Sequence, residues 1–193
     1  MIFRRWFFAL VSLFVLAFAP VGATLSSPAP ATLSQRTYND PAIHYVAPVG
    51  VVLIAMRKVP YQAATHMTPV AVWGFNPGKS DARIISLSFE YFSNGSLGGF
   101  YTTYINELRS ASGGSTFVSR KNSVLVNGMP AYWLKVSSGN GFSQMRTYEY
   151  MWYDGVRGVV LSEEARAGKI GQRQAKRDLA GASAVAYPVN REY

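Results

Sequence analysis

The chain has 193 residues, 49% hydrophobic and 15% charged, a composition that supplies the core of one well-filled domain and excludes a disordered chain. It contains no cysteine, which rules out a disulfide framework, a thiolate metal site, a thiol nucleophile and a cysteine-linked lipid anchor. Nineteen Lys and Arg against ten Asp and Glu give a net charge of +9, a field that favours anionic partners without identifying one.

The N-terminus has the three parts of an export signal: Arg4 and Arg5, then the apolar run "WFFALVSLFVLAFA", then the small-residue site "VGA". Cleavage after Ala23 is expected, making residues 1–23 a signal peptide and the protein periplasmic or secreted in a bacterium. The run from Trp6 to Ala19 is shorter than the roughly 20 residues of a spanning helix. "RRWFF" resembles part of a twin-arginine signal, but the strongly apolar run favours the general secretory route. Residues 24–41, "TLSSPAPATLSQRTYNDP", are rich in Ser, Thr, Pro and Ala without apolar period, and are expected to form a flexible leader. A single domain is then expected over 42–190, since no repeat or second composition shift follows.

"AIHYVAPVGVVLIAM" reads as two short strands broken near Pro48 and Gly50, "PVAVWGF" as a third and "ARIISLSFEYF" as a fourth. In "SLGGFYTTYINELRSASGG" the residues Leu97, Phe100, Tyr101, Tyr104, Ile105 and Leu108 form one stripe at helical period, with Ser96 as N-cap and Gly113-Gly114 as the stop. Four strand candidates follow, with two-residue turns expected at Asn127-Gly128 and Asp154-Gly155 and a turn at "SSGNG" between them. A last helix is expected from about Lys169 to Ala180. A two-residue turn at Asp154-Gly155 sets Trp152 opposite Arg157, as a cation–π pair, and brings Arg146 to Glu163, as an ion pair. Along "MRTYEYMWY" both faces carry large apolar groups: Tyr148, Tyr150 and Trp152 on one side, Met145, Met151 and Tyr153 on the other. The fold class expected is therefore α+β: an antiparallel sheet of about six to seven strands between helices, a three-layer α/β/α sandwich.

The element order, with "VNGMPAYWLKV", "RTYEYMWYDGVRGVVLSEE" and "AVAYP", resembles the PsbP-like superfamily over roughly Ala42 to Pro188. That superfamily includes the extrinsic photosystem II subunit, a nuclear Ran-binding protein and many exported bacterial proteins of unknown role. The resemblance implies an antiparallel sheet between helices and a non-enzymatic accessory or binding role. It carries over no docking residue, and the opening "YVAPVGVVLIA" matches the family's usual start only faintly.

No catalytic, cofactor or metal site is expected from the motifs. His44 and His66 lie in separate segments outside any metal-ligand spacing, and no GxSxG elbow occurs. Glu163 and Glu164 are adjacent, so on a strand they point to opposite faces, and a structural pairing of Glu163 outweighs catalysis. "NGSLGGF" lacks the lysine of a phosphate loop and reads as a turn and helix start. In "ARAGKIGQRQAKRDL", Arg166, Lys169, Arg173, Lys176 and Arg177 recur at helical spacing as a candidate anion-binding surface, against the plainer reading of a solvated face. The expected function is an exported, non-catalytic binding domain acting on a protein or envelope component. The alternatives are attachment to an anionic membrane or polymer through the basic helix, and a hydrolase using Glu163 or His44. Nucleic acid is a poor partner for an exported protein, and the aromatic–cation interleaving of single-strand binders is absent.

Overall fold

The computed structural model of the protein describes residues 29–93, 95–112, 114–139 and 144–188. The expected signal peptide, residues 24–28 of the leader, Asn94, Gly113, and Asn140 and Gly141 of the "SSGNG" turn lie outside them. The chain is α+β. Seven strands, β3 (Val52–Met56), β4 (Thr68–Phe75), β5 (Arg83–Tyr91), β6 (Phe117–Val124), β7 (Pro130–Ser138), β8 (Met145–Tyr153) and β9 (Arg157–Arg166), form one antiparallel sheet in the order β3-β4-β5-β9-β8-β7-β6. A smaller antiparallel sheet has the order β1-β2-β10, built from Thr37–Asn39, Ile43–Val46 and Ser183–Ala184. The helices are α1 (Leu33–Arg36), α2 (Leu97–Ala111) and α3 (Gln172–Leu179).

Helix α2 forms where the apolar stripe places it. The Ser96 hydroxyl accepts the Gly99 N–H at 3.1 Å, satisfying one of the orphan donors of the first turn, and Phe100, Tyr104 and Ile105 are buried. Helix α3 starts at Gln172, later than the sequence suggests, because Gly168 takes a left-handed φ of +84° and Lys169 lies in the turn before it.

The core divides into two clusters. One holds Trp73, Phe89, Trp152 and Leu161 with Tyr38, Ile43 and Tyr45 of the small sheet and Ala175 and Leu179 of α3. The other holds Phe100, Tyr104 and Ile105 of α2 with Leu134, Val136, Met151 and Val160. Neighbours along β7 alternate between them, Ala131 and Trp133 in the first, Leu134 and Val136 in the second, so this strand is buried on both sides as its sequence implies.

Three expectations change. Residues 33–39, assigned above to the flexible leader, form α1 and β1; Tyr38 is buried, and the Trp73 indole N–H donates to the Gln35 carbonyl at 2.8 Å. At Asn127-Gly128 the turn is longer than two residues: the Leu125 N–H donates to Met129 at 2.9 Å and the Gly128 N–H to Leu125 at 2.9 Å, with Gly128 at φ +85°. This is a three-residue hairpin loop with glycine in the left-handed position. It pairs Val124 with Pro130, and leaves the Asn127 side chain free to bind Ala184 of β10.

The third change sets the register of β8 and β9. The tight turn centres on Gly155-Val156, because the Asp154 carboxylate accepts the N–H groups of Val156 at 3.1 Å and Arg157 at 2.7 Å. Pairing therefore slides by two residues: Tyr153 faces Gly158, Trp152 faces Val159 and Arg146 faces Ala165. A slip of two keeps every side chain on its expected face but breaks every expected pair.

Candidate functional site

The three central strands of the large sheet carry polar residues on the face that α2 covers. Ser86 and Ser88 alternate on β5, Ser162 and Glu164 on β9, Thr147 and Glu149 on β8. The register aligns them: Ser86 faces Ser162, which faces Glu149 on its other side, and Glu164 faces Thr147. The Ser86 and Ser162 hydroxyls are 2.8 Å apart, and the Thr147 hydroxyl donates to Glu164 Oε2 at 3.3 Å. Helix α2 presses closely on this face at its N-terminal end. There the Phe100 ring lies on Gly158, where a Cβ would come within 2.2 Å of the ring. Its C-terminal half leaves a cavity of about 250 Å³, walled on the helix side by Tyr104, Leu108, Ala111 and Ser112.

Glu149 is the deepest charged group of this cavity, 3% exposed. Its Oε1 accepts the Tyr104 hydroxyl at 2.9 Å, while Oε2 is buried without a hydrogen-bond partner among the described residues. Burial pushes its pKa up to about 7, with the Tyr104 hydrogen bond opposing and the Glu164 charge adding to the rise. Burial and the neighbouring Glu149 keep the Tyr104 phenol neutral, its pKa well above the ordinary value. Glu90, on the same face of β5, is likewise raised to about 7 by burial and by Glu107 of α2. Among the described residues, none that lines the cavity is Lys, Arg or His.

The opposite face treats its acids differently. Glu163 does not meet Arg146. Instead, Arg83 Nη1 from β5 binds Glu163 Oε1 at 2.5 Å and Asp178 Oδ2 of α3 at 2.6 Å. Burial and Asp178 push the Glu163 pKa up to about 7 while Arg83 pulls it back, as expected of two carboxylates sharing one guanidinium. Arg157 does not stack on Trp152. It is 2% exposed, binds Asp40 at 2.7 Å and Asp154 at 2.8 Å, and lies over the rings of Phe89 and Tyr187 at 4.7 and 4.5 Å. Burial opposes its charge, but the two carboxylates outweigh that and raise its pKa. The two errors share one cause, the displaced turn.

Arg166, Lys169, Arg173, Lys176 and Arg177 are all exposed. Lys176 Nζ lies 5.5 Å over the Trp133 ring and Arg177 donates to Gln174 at 2.6 Å; ion pairs among the described residues use Arg83 and Arg157. His44 is exposed on β2 and His66 in the loop before β4, and neither they nor Glu163 line the cavity. Among the described residues no three His, Asp or Glu gather as a metal site, and no helix is long and apolar enough to cross a membrane.

The cavity residues were not singled out by the sequence reading, which weighed the apolar members of each strand face. The signal available was the polar alternation Ser-x-Ser, Thr-x-Glu and Ser-x-Glu in strands that also carry a full apolar face, since a polar residue on a helix-covered face needs a partner. These elements define an α+β domain with a cavity between a helix and an antiparallel sheet whose described lining includes two carboxylates, Glu149 and Glu164. Comparison of the sequence with models of protein families and with characterised proteins finds no match.

Proposed function

We propose that the protein is an exported, non-catalytic binding domain that holds a small ligand between α2 and the large sheet and serves a protein or another component of the cell envelope. The observation that carries this reading is the cavity of about 250 Å³ with a buried carboxylate oxygen, Glu149 Oε2, to which no described residue donates. Buried acceptors are normally satisfied, so a donor on a ligand completes the site. Export rests on the signal-like residues 1–23, and the accessory role on the resemblance to the PsbP-like superfamily. In this reading the domain is a three-layer sandwich, α2 over one face and α3 with the small sheet over the other; the two separate hydrophobic clusters support it. Native mass spectrometry of the full chain, purified from its own envelope, tests the reading. A small-molecule adduct that disappears when Ser162→Leu fills the cavity is the expected result. A wild-type chain that carries no adduct, and gains no thermal stability from a low-molecular-weight envelope fraction, overturns it.

A second reading, attachment to an anionic surface, is favoured by the five exposed cations around the end of β9 and α3. It expects the full chain to sediment with phosphatidylglycerol vesicles, less so at high salt and least after Arg173→Glu with Lys176→Glu. Sedimentation that ignores salt and charge reversal eliminates it.

A further inference from the structure

The chemistry of the cavity limits its ligand. An anion would face two carboxylates, with no Lys, Arg or His among the described residues of the lining. A purely apolar molecule would leave Glu149 Oε2 buried and unpaired, at a cost of about 1–3 kcal/mol or more. Among the described residues no three His, Asp or Glu gather to hold a metal ion, and the cavity brings only Glu149 and Glu164 together. The remaining walls are divided between hydroxyls, such as Ser86 and Ser162, and hydrocarbon from Met67, Leu108, Val136 and Val160. The volume lies below the roughly 300–1,000 Å³ of pockets for drug-sized ligands, which restricts the occupant to a short chain.

We propose that the cavity binds a small aliphatic primary-amine cation, its ammonium group donating to Glu149 Oε2 and its methylenes lying against Leu108, Val136 and Val160. This rests on the reading of the cavity as a ligand site. An ammonium has three donors and no acceptor, matching a wall whose charged groups only accept. The net charge of +9 repels cations from the general surface, so amine binding by this protein reports a specific acidic site. Binding a cation also favours the ionised form of Glu149, whose raised pKa means that near neutrality the complex forms with release of a proton. The titratable groups facing Glu149 are Tyr104 of α2 and Glu164 of β9, while β7 presents Leu134 opposite it.

The test is calorimetric titration of the full chain with n-butylamine and 1,4-diaminobutane, with n-butanol, glucose and butyrate as neutral and anionic comparisons. The amines are expected to bind at least tenfold more tightly than n-butanol, glucose or butyrate. At pH 7 the heat should vary with the ionisation enthalpy of the buffer, and affinity should fall at least tenfold from pH 8 to pH 5. Glu149→Gln, which keeps an acceptor for the Tyr104 hydroxyl, should weaken amine binding tenfold or more. Glu164→Gln provides a second variant should the first lose its fold, with weakening in the same direction. Binding of n-butanol or glucose that equals or exceeds that of the amines and is lost in Ser162→Leu overturns the amine assignment while leaving the ligand site standing. Amine binding unchanged in both glutamine variants overturns it too. If none of the five compounds binds, the amine assignment fails and the adduct experiment alone decides the site.

Discussion

The two faces of the large sheet bury acidic side chains in opposite ways. On the face toward α3 and the small sheet, each buried acid meets a guanidinium: Arg83 bridges Glu163 and Asp178, and Arg157 bridges Asp40 and Asp154. On the face toward α2, Glu149 is buried against a neutral phenol with no guanidinium beside it; one oxygen of each acid, Glu149 Oε2 and Glu163 Oε2, has no hydrogen-bond partner among the described residues, so the contrast lies in the counter-charge. A charge without a counter-charge in a protein interior costs free energy that a well-paired one recovers in part. The paired face therefore reads as architecture, since Asp40 and Asp154 tie the turn of the small sheet to the β8–β9 turn. The unpaired face carries a destabilising group next to open space, the arrangement expected where a site is kept for something else.

The strongest way to break this contrast is to turn the paired face into an unpaired one. Arg157→Met keeps much of the buried volume and leaves Asp40 and Asp154 facing each other without a cation. The expected loss is about 3–5 kcal/mol, the usual cost of removing one partner of a buried pair, read as the change in urea unfolding free energy at pH 7. Hydrogen exchange should rise first at Ala42 and Ile43, whose N–H groups donate to Asp40 at 2.8 Å each. A loss below about 1 kcal/mol would show that the hub contributes geometry alone.

Glu149 sharpens the contrast from the other side. Its pKa is raised from 4.5 to about 7 on folding, so between those values the folded chain holds more protons than the unfolded one, and its contribution to stability falls as pH rises through this window. The full difference, present above pH 7, is about 3 kcal/mol at 1.36 kcal/mol per pKa unit. Glu149→Gln removes it. The variant is expected to match the wild type near pH 4.5 and to exceed it by up to about 3 kcal/mol at pH 8, measured by denaturant unfolding across that range. Equal stability at both ends would mean that Glu149 is solvated in the folded protein, and the contrast between the faces would vanish.

The paired face was partly legible in the sequence and the unpaired face hardly at all. Alternation placed Tyr148, Tyr150 and Trp152 on one side of β8, and the stripe from Leu97 to Leu108 placed α2, because burial imposes those periods. The partners were not legible. A choice between Asp154-Gly155 and Gly155-Val156 as the turn centre shifts the pairing by two residues, and the sequence holds no term for the Asp154 carboxylate that decides it. Arg83 and Glu163 are 80 residues apart, and Asp40 and Arg157 are 117 apart; such contacts depend on strand order, which composition and period do not encode. The cavity depends on where α2 leaves the sheet, set by the contact of Phe100 with Gly158 rather than by the residues that line it.

The smallest expected effect concerns the serine pair at the cavity floor, and it asks whether the unpaired face is wet. Ser86 and Ser162 are half-buried with hydroxyls 2.8 Å apart. In a closed, dry layer, Ser86→Ala would leave the Ser162 hydroxyl without its partner, costing about 1–3 kcal/mol. A cavity of about 250 Å³ has room for several waters, each of which needs two to four polar partners, and the wall supplies them in Ser88, Ser162, Thr147 and Glu164. Water then replaces the lost hydroxyl, and the cost of Ser86→Ala is expected to stay below about 1 kcal/mol, the net worth of one replaceable hydrogen bond. Chemical denaturation of Ser86→Ala and of the double variant Ser86→Ala with Ser162→Ala measures this. If the single variant is the less stable of the two by more than about 1 kcal/mol, the stranded Ser162 hydroxyl is in a dry layer and the helix closes more tightly on the sheet than the cavity implies.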